Sequence, residues 1–226
     1  MPLWLRVLVV SSRATLVVTP NIYLMNHPTL ITIDLEGVFA PEIWIAFANK
    51  VGIPELRRTT RDEPDYDKLM AFRIDLLNRH GFTLTDIQAV IADLDPLPGA
   101  REFMDWLRAR AQVIILSDTF YQFAQPLMAK LGYPTIFCHN LMLDEQERII
   151  GYKLRMPDSK RAAVNALKAI NFSIVAAGDS YNDISMLGEA DHGFLFRPSA
   201  NVAAEFPQFQ VANTYEELKA LMAPWL

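Results

Sequence analysis

The chain has 226 residues, of which 51% are hydrophobic and 21% charged, with a formal net charge of −5. That hydrophobic share supports a sizeable core and excludes a disordered chain, while the acidic balance leaves no basic footprint for nucleic acid. The length suits one core domain with a modest insertion.

Residues 1–28 come first and are read as an N-terminal extension. Met1-Pro2-Leu3-Trp4-Leu5-Arg6, then Val7 to Val10, has a trace of a secretory signal. The apolar run is short, however, Arg13 follows closely, and nothing approaches the ~20 apolar residues of a membrane helix. No membrane association is therefore expected. Met25 lies just ahead of the first core strand, so residues 1–24 are expected to be an upstream addition from a misplaced start codon.

Leu30-Ile31-Thr32-Ile33 is a short apolar run that ends in Asp34-Leu35-Glu36-Gly37-Val38. Beyond it, Pro41 to Val51, Asp65 to His80 and Thr85 to Asp93 read as helices with no strand between them, a helical cap over residues 41–96. From Leu97 the pattern alternates. Ala100 to Arg110 is helical, with Phe103, Met104, Trp106 and Leu107 at helical spacing. Val113-Ile114-Ile115-Leu116 is a continuous apolar run, the mark of a parallel strand buried on both faces, and it ends at Ser117-Asp118-Thr119. A helix over Phe120 to Leu131, closed by Gly132, and a hairpin over Leu141 to Leu154 follow. Next come a helix over Ser159 to Ile170, a strand over Phe172 to Ala177, and the acidic turn Gly178-Asp179-Ser180-Tyr181-Asn182-Asp183. A short helix over Asn182 to Gly188, a strand at Gly193 to Phe196, and helices over Ala200 to Glu205 and Tyr215 to Met222 complete the chain. Asn213 or Thr214 is expected to cap the last helix. The expected fold is α/β: a doubly wound, Rossmann-like parallel sheet built from residues 29–40 and 97–226, with the all-helical cap inserted after the first core strand.

In such sheets, reactive groups gather at the carboxyl ends of strands. Asp34, Ser117 and Asp179 all fall there, on separate strands. Asp34 suits a nucleophile that also binds Mg²⁺ with its second oxygen. Glu36 suits a proton donor and acceptor, and its backbone carbonyl suits the metal. Asp179 completes a magnesium site, since that ion takes few carboxylates and keeps waters and substrate phosphate as its other ligands. Ser117 offers a hydroxyl and an amide to phosphate oxygens, and Lys160 a point charge. Singly, each feature has a plain structural explanation: a solvated turn, a helix cap or a surface lysine. Their joint occurrence in this order points to phosphoryl chemistry.

Other residues are less specific. Glu42 suits a first-turn acid complementing a helix dipole, and Arg73 suits an ion pair with Asp75 or Glu63. Trp44 and Phe47, at helical spacing, read as packing. The lone Cys138 cannot form an internal disulfide, which fits a reducing, cytoplasmic compartment. It follows Ile136-Phe137 at an expected strand end and reads as a small buried hydrophobe. His80 belongs to a helix end, and His139 and His192 have no ligand-spaced partner, so none of these is given a role.

The four motifs resemble those of the haloacid dehalogenase superfamily of aspartate-nucleophile phosphatases over about residues 29–226. Its pattern is D-x-D-x-[TV], Ser or Thr after a strand, a Lys, and G-D-x-x-x-D. Asp34 to Val38, Ser117, Lys160 and Gly178 to Asp183 match, with Glu36 where Asp is usual. The resemblance implies Mg²⁺ dependence and a phosphoaspartyl intermediate, with Asp183 as an auxiliary acidic residue. Within the superfamily the chain is similar to phosphoserine phosphatases, including bacterial members that also pass the phosphoryl group to homoserine. This similarity rests on Pro41-Glu42-Ile43-Trp44-Ile45-Ala46-Phe47-Ala48, Ile115 to Tyr121 and Ala177 to Asp183. It implies a cap Glu (Glu42) for the substrate amino group, a cap Arg (Arg73) for its carboxylate, and substrate contacts from Ser117, Asp118, Lys160 and Asn182. The implied place is serine and threonine biosynthesis, and a homodimer suits this chain length. The rival within enzymes is a phosphatase for another small phosphomonoester. A phosphoaccepting receiver, the rival from another class, has neither the lid nor the late acidic turn.

Overall fold

The computed structural model describes residues 27–59, 62–63 and 65–226. The expectation about residues 1–24 lies outside them.

The strands are β1 (Thr29–Ile33), β2 (Gln112–Phe120), β3 (Thr135–Leu143), β4 (Ile149–Lys153), β5 (Ser173–Gly178), β6 (His192–Phe196) and β7 (Gln210–Ala212). They form one sheet in the order β4-β3-β2-β1-β5-β6-β7. Every neighbouring pair is parallel except β3 and β4, which form the expected hairpin. The helices are α1 (Ile43–Val51), α2 (Tyr66–Arg79), α3 (Leu84–Ala92), α4 (Ala100–Arg108), α5 (Tyr121–Lys130), α6 (Ser159–Ala169), α7 (Ile184–Glu189), α8 (Ala200–Glu205) and α9 (Tyr215–Met222).

Alternation along the central strands explains the two-sided core. Ile31, Ile33, Ile115, Val175 and Ala177 pack with the α4, α5 and α9 side, into a cluster that reaches Phe47 and Ile87 of the helices after β1. Leu30, Leu116, Ile174 and Ala176 pack on the other face against Val164 of α6, Leu187 of α7 and Val202 of α8. Both faces are covered, which is why these strands read as unbroken apolar runs.

Some local readings shift. The first helix begins at Ile43, because Pro41 and Glu42 lie outside it and Glu42, with φ −58° and ψ 113°, takes the N-cap position. β7, for which the sequence pattern predicts no element, has only three residues and lies at the sheet edge. Cys138 is inside β3 rather than at its end, 1% exposed, and burial pushes its thiol up to about 12. No helix among the described residues is long and apolar enough to cross a membrane.

Candidate active site

β1 and β5 run side by side, and Asp34 N–H donates to Ala177 O at 3.0 Å just past the end of β1. This fixes the backbone of Asp34, whose side chain is 4% exposed. The chain then turns sharply. Gly37 has φ +76°, and a Cβ there would fall 2.4 Å from Asp179 Oδ2. Glycine is required twice over, for the left-handed backbone and for the space that Asp179 occupies.

Lys160 is the second residue of α6 and is 2% exposed. Its Nζ lies 2.7 Å from Asp183 Oδ1, 3.0 Å from Asp34 Oδ1 and 4.0 Å from Asp118 Oδ2. Burial disfavours its charge, but Asp183, Asp34 and Asp118 outweigh that and hold Lys160 protonated above the usual lysine range. Asp183 is fully buried, and its other oxygen accepts the N–H groups of Asp179 at 2.9 Å and Ser180 at 3.1 Å. It therefore braces both the lysine and the turn that carries Asp179.

Negative charge remains in excess. Burial and the neighbouring Asp183 raise Asp34 well above the carboxylate range despite Lys160, and the same two causes push Asp179 up to about 6. Carboxylate oxygens of Asp34, Asp179 and Asp183 lie within 4.8 Å of one another. An all-oxygen donor set with surplus negative charge fits a hard divalent cation such as Mg²⁺.

Ser117 and Asp118 sit where the β2–β3 register shifts between Leu116 and Phe120. Such an irregularity re-aims side chains at a strand end. Ser117 is 2% exposed and accepts Thr119 N–H at 3.2 Å. Asp118 Oδ2 accepts from Asn182 Nδ2 at 2.8 Å, and Asn182 Oδ1 in turn accepts from Ser180 Oγ at 2.6 Å.

Glu36 points toward the helices. Burial and the charge of Glu42 raise its carboxyl from the ordinary 4.5 to about 7, opposed by hydrogen bonds from Ile43 N–H and the Thr119 side chain and by the charge of Arg73. Ile43 opens α1, whose N-cap Glu42 makes no side-chain cap bond.

Arg73, on α2, is 6% exposed, and burial brings its guanidinium down to about 10. One Nη donates to Arg58 O at 2.7 Å, and the guanidinium lies 4.4 Å over the Trp44 ring. Its Nε is buried with no hydrogen-bond partner among the described residues. Neither Asp75 nor Glu63 takes it; Asp75 pairs with Arg79 instead. Trp44, read as packing, forms a wall of the site beneath this cation.

Every sequence-predicted site residue except Asp183 lines one cavity of about 560 Å³, with Asp183 buried beneath it. Trp44 and His139 are among the lining residues that were given no role in the site from the sequence. His139 is 4% exposed and faces Asp118. Its only sequence-level signal is its place on a strand neighbouring Ser117-Asp118-Thr119.

Comparison with known proteins places the chain in a family. A family model for haloacid dehalogenase-like hydrolases matches residues 22–191, and the chain belongs to that family. Among curated relatives, a phosphoserine phosphatase of Pseudomonas syringae pv. tomato is 60% identical over 187 residues, covering 83% of this chain and 79% of the relative. The phosphoserine phosphatase ThrH of Pseudomonas aeruginosa is 59% identical over 187 residues, covering 83% and 91%. Solved structures share the fold at low identity. An apo phosphoserine phosphatase superposes with TM-score 0.70 at 18% identity, over 88% of this chain and 99% of that one. A substrate-bound phosphoserine phosphatase gives 0.71 at 18%, over 87% and 98%.

Proposed function

We propose that the chain is a Mg²⁺-dependent phosphoserine phosphatase that works through a phosphoaspartyl intermediate, with homoserine as a second phosphoryl acceptor. The observation that carries this is the pairing of two opposed charge centres in one cavity. Asp34, Lys160 and Asp179 form a phosphoryl-handling end. Arg73 and Glu42 form the other end, where the buried guanidinium has an Nε without a hydrogen-bond partner among the described residues. A small phosphate ester bearing both a carboxylate and an ammonium matches this set, and the names of the Pseudomonas relatives agree.

Asp34, Asp179 and the Glu36 carbonyl would hold Mg²⁺, with Asp183 bracing them; when bound, the ion neutralises phosphoryl oxygens and withdraws charge from the site. Asp34 attacks phosphorus as the bond to the serine oxygen breaks, and Lys160 and Ser117 hold the phosphoryl oxygens. Glu36, protonated in a large share of molecules near neutrality, passes its proton to the leaving serine oxygen. As a carboxylate it then takes a proton from water, whose oxygen displaces Asp34 from phosphorus and releases phosphate. Homoserine hydroxyl in place of water gives phosphohomoserine by the same step. Asp118 and Asn182 border the substrate, and Trp44 supports Arg73 from below.

The test is phosphate release from O-phospho-L-serine with Mg²⁺, with and without homoserine. Turnover is expected, and Asp34→Asn should lower it by at least about a thousandfold. No turnover of phosphoserine beside turnover of p-nitrophenyl phosphate would replace this reading with that of a phosphatase for another small phosphomonoester.

A further inference from the structure

His139 lies on β3, one strand away from Ser117 and Asp118, and is 4% exposed. Its two ring nitrogens have different surroundings. Nδ1 accepts the backbone N–H of Arg155 at 3.1 Å, just past β4. An acceptor nitrogen carries no proton in the neutral ring, so the ring proton is on Nε2. Nε2 lies 3.5 Å from Asp118 Oδ1. The other oxygen of Asp118 is taken by Asn182 Nδ2 at 2.8 Å. A polar chain therefore crosses the cavity wall from Arg155 through His139, Asp118 and Asn182 to Ser180. Arg155 also donates from Nη2 to Ser159 O at 3.3 Å, next to Lys160.

The chain matters because of where Asp118 stands. Its carboxylate is 4.0 Å from Lys160 Nζ, the cation that also holds Asp34 at 3.0 Å. A carboxylate at that distance is a competitor. Rotated inward, it would draw the lysine charge from Asp34 and repel an incoming phosphate dianion.

We propose that His139 is a positioning residue that pins the Asp118 carboxylate against Asn182, keeping it from approaching Lys160 more closely than 4.0 Å and out of the phosphate's place. With Nδ1 taken by the Arg155 N–H, the ring is held so that Nε2 faces Asp118 Oδ1 at 3.5 Å, a polar contact on the side of the carboxylate away from Asn182. The inference rests on the phosphatase reading for its kinetic consequences, but the pinning applies to any phosphate dianion entering the cavity.

The test compares three substitutions. In His139→Gln, the side-chain amide reaches Asp118 as Nε2 does. In His139→Asn, the carbonyl can replace Nδ1 toward Arg155, but the shorter amide falls short of Asp118. His139→Ala removes both contacts. With phosphoserine and Mg²⁺, Ala and Asn are expected to raise KM about tenfold, the order of one polar contact to a charged group, while Gln stays within about threefold of the parent. The change in kcat should be smaller than that in KM. In an Asp118→Asn background, His139→Ala should have little further effect. Calorimetric binding of inorganic phosphate to the Mg²⁺-loaded protein gives the same comparison without turnover. If the parent fails to turn over phosphoserine but phosphate affinity still separates Gln from Asn and Ala, the substrate reading falls and the pinning stands. Equal behaviour of all three variants, or an undiminished His139→Ala effect without the Asp118 charge, overturns the pinning. Melting curves identify any variant that fails to fold, and the Gln–Asn contrast survives the loss of Ala.

Discussion

Glu36 is the residue at which chemistry and stability meet. Its carboxyl is raised from 4.5 to about 7, chiefly by burial and then by Glu42. A carboxyl raised on folding contributes most below its unfolded value and loses that contribution as pH climbs through the folded value. In metal-free protein, Glu36→Gln should therefore leave stability nearly unchanged at pH 4.5 and raise it by about 1–3 kcal/mol at pH 8. Thermal melts in EDTA at the two pH values check this; equal shifts at both would refute the burial argument. Asp34, Ser117, Lys160 and Asp179 were legible as candidates in the sequence because each sits beside a recognisable apolar run or helix start. His139 was not, because its partner Asp118 is brought to it only by the pairing of β2 with β3, with Phe120 against His139 beyond the irregularity. Trp44 packs against the core, edge-on to Phe123, as read from its helical spacing, but that spacing could not show that it also lines the cavity.

The hairpin of β3 and β4 holds the helices that close the site. Tyr152 hydroxyl bonds Asp67 at the start of α2. Asn78 Nδ2, near the end of that helix, donates to Ile149 O at 3.1 Å. Leu84 N–H and Thr85 Oγ1, opening α3, donate to Glu147 at 2.8 and 2.6 Å. These bonds fasten α2, and with it Arg73, to an element of the sheet. Tyr152→Phe removes one of them and should raise KM for phosphoserine about two- to tenfold, with kcat less affected and α2 amides exchanging faster with deuterium. Unchanged exchange in α2 would show that this bond does not hold the helix. Local sequence marked α8 and α9 well because Ser199 and Thr214 cap them by accepting Val202 and Glu217 N–H. It did not mark β7, whose three residues lack a pattern long enough to read.

Over the whole molecule, the sheet order puts β1 between β2 and β5, so the ends of three central strands converge on one charged cluster. The surplus of carboxylates there is expected to make folding sensitive to divalent cations. Mg²⁺ at about a hundredfold excess over its dissociation constant should add about 2.7 kcal/mol and raise the melting temperature by roughly 5–10 °C. Asp179→Asn should remove most of that increment, as read by calorimetry with and without the ion. An Mg²⁺-induced shift that survives Asp179→Asn would place the ion elsewhere.

The crowding of Asp34, Asp179 and Asp183 around one lysine also bears on how this chain can evolve. Without the ion, neutralising Asp34 or Asp179 relieves repulsion that the rest of the fold has to absorb. A lineage selected for thermal endurance alone would drift toward asparagine at these positions, gaining robustness as it lost chemistry. Persistence of the full acidic set in a descendant would therefore itself be a record of selection for turnover.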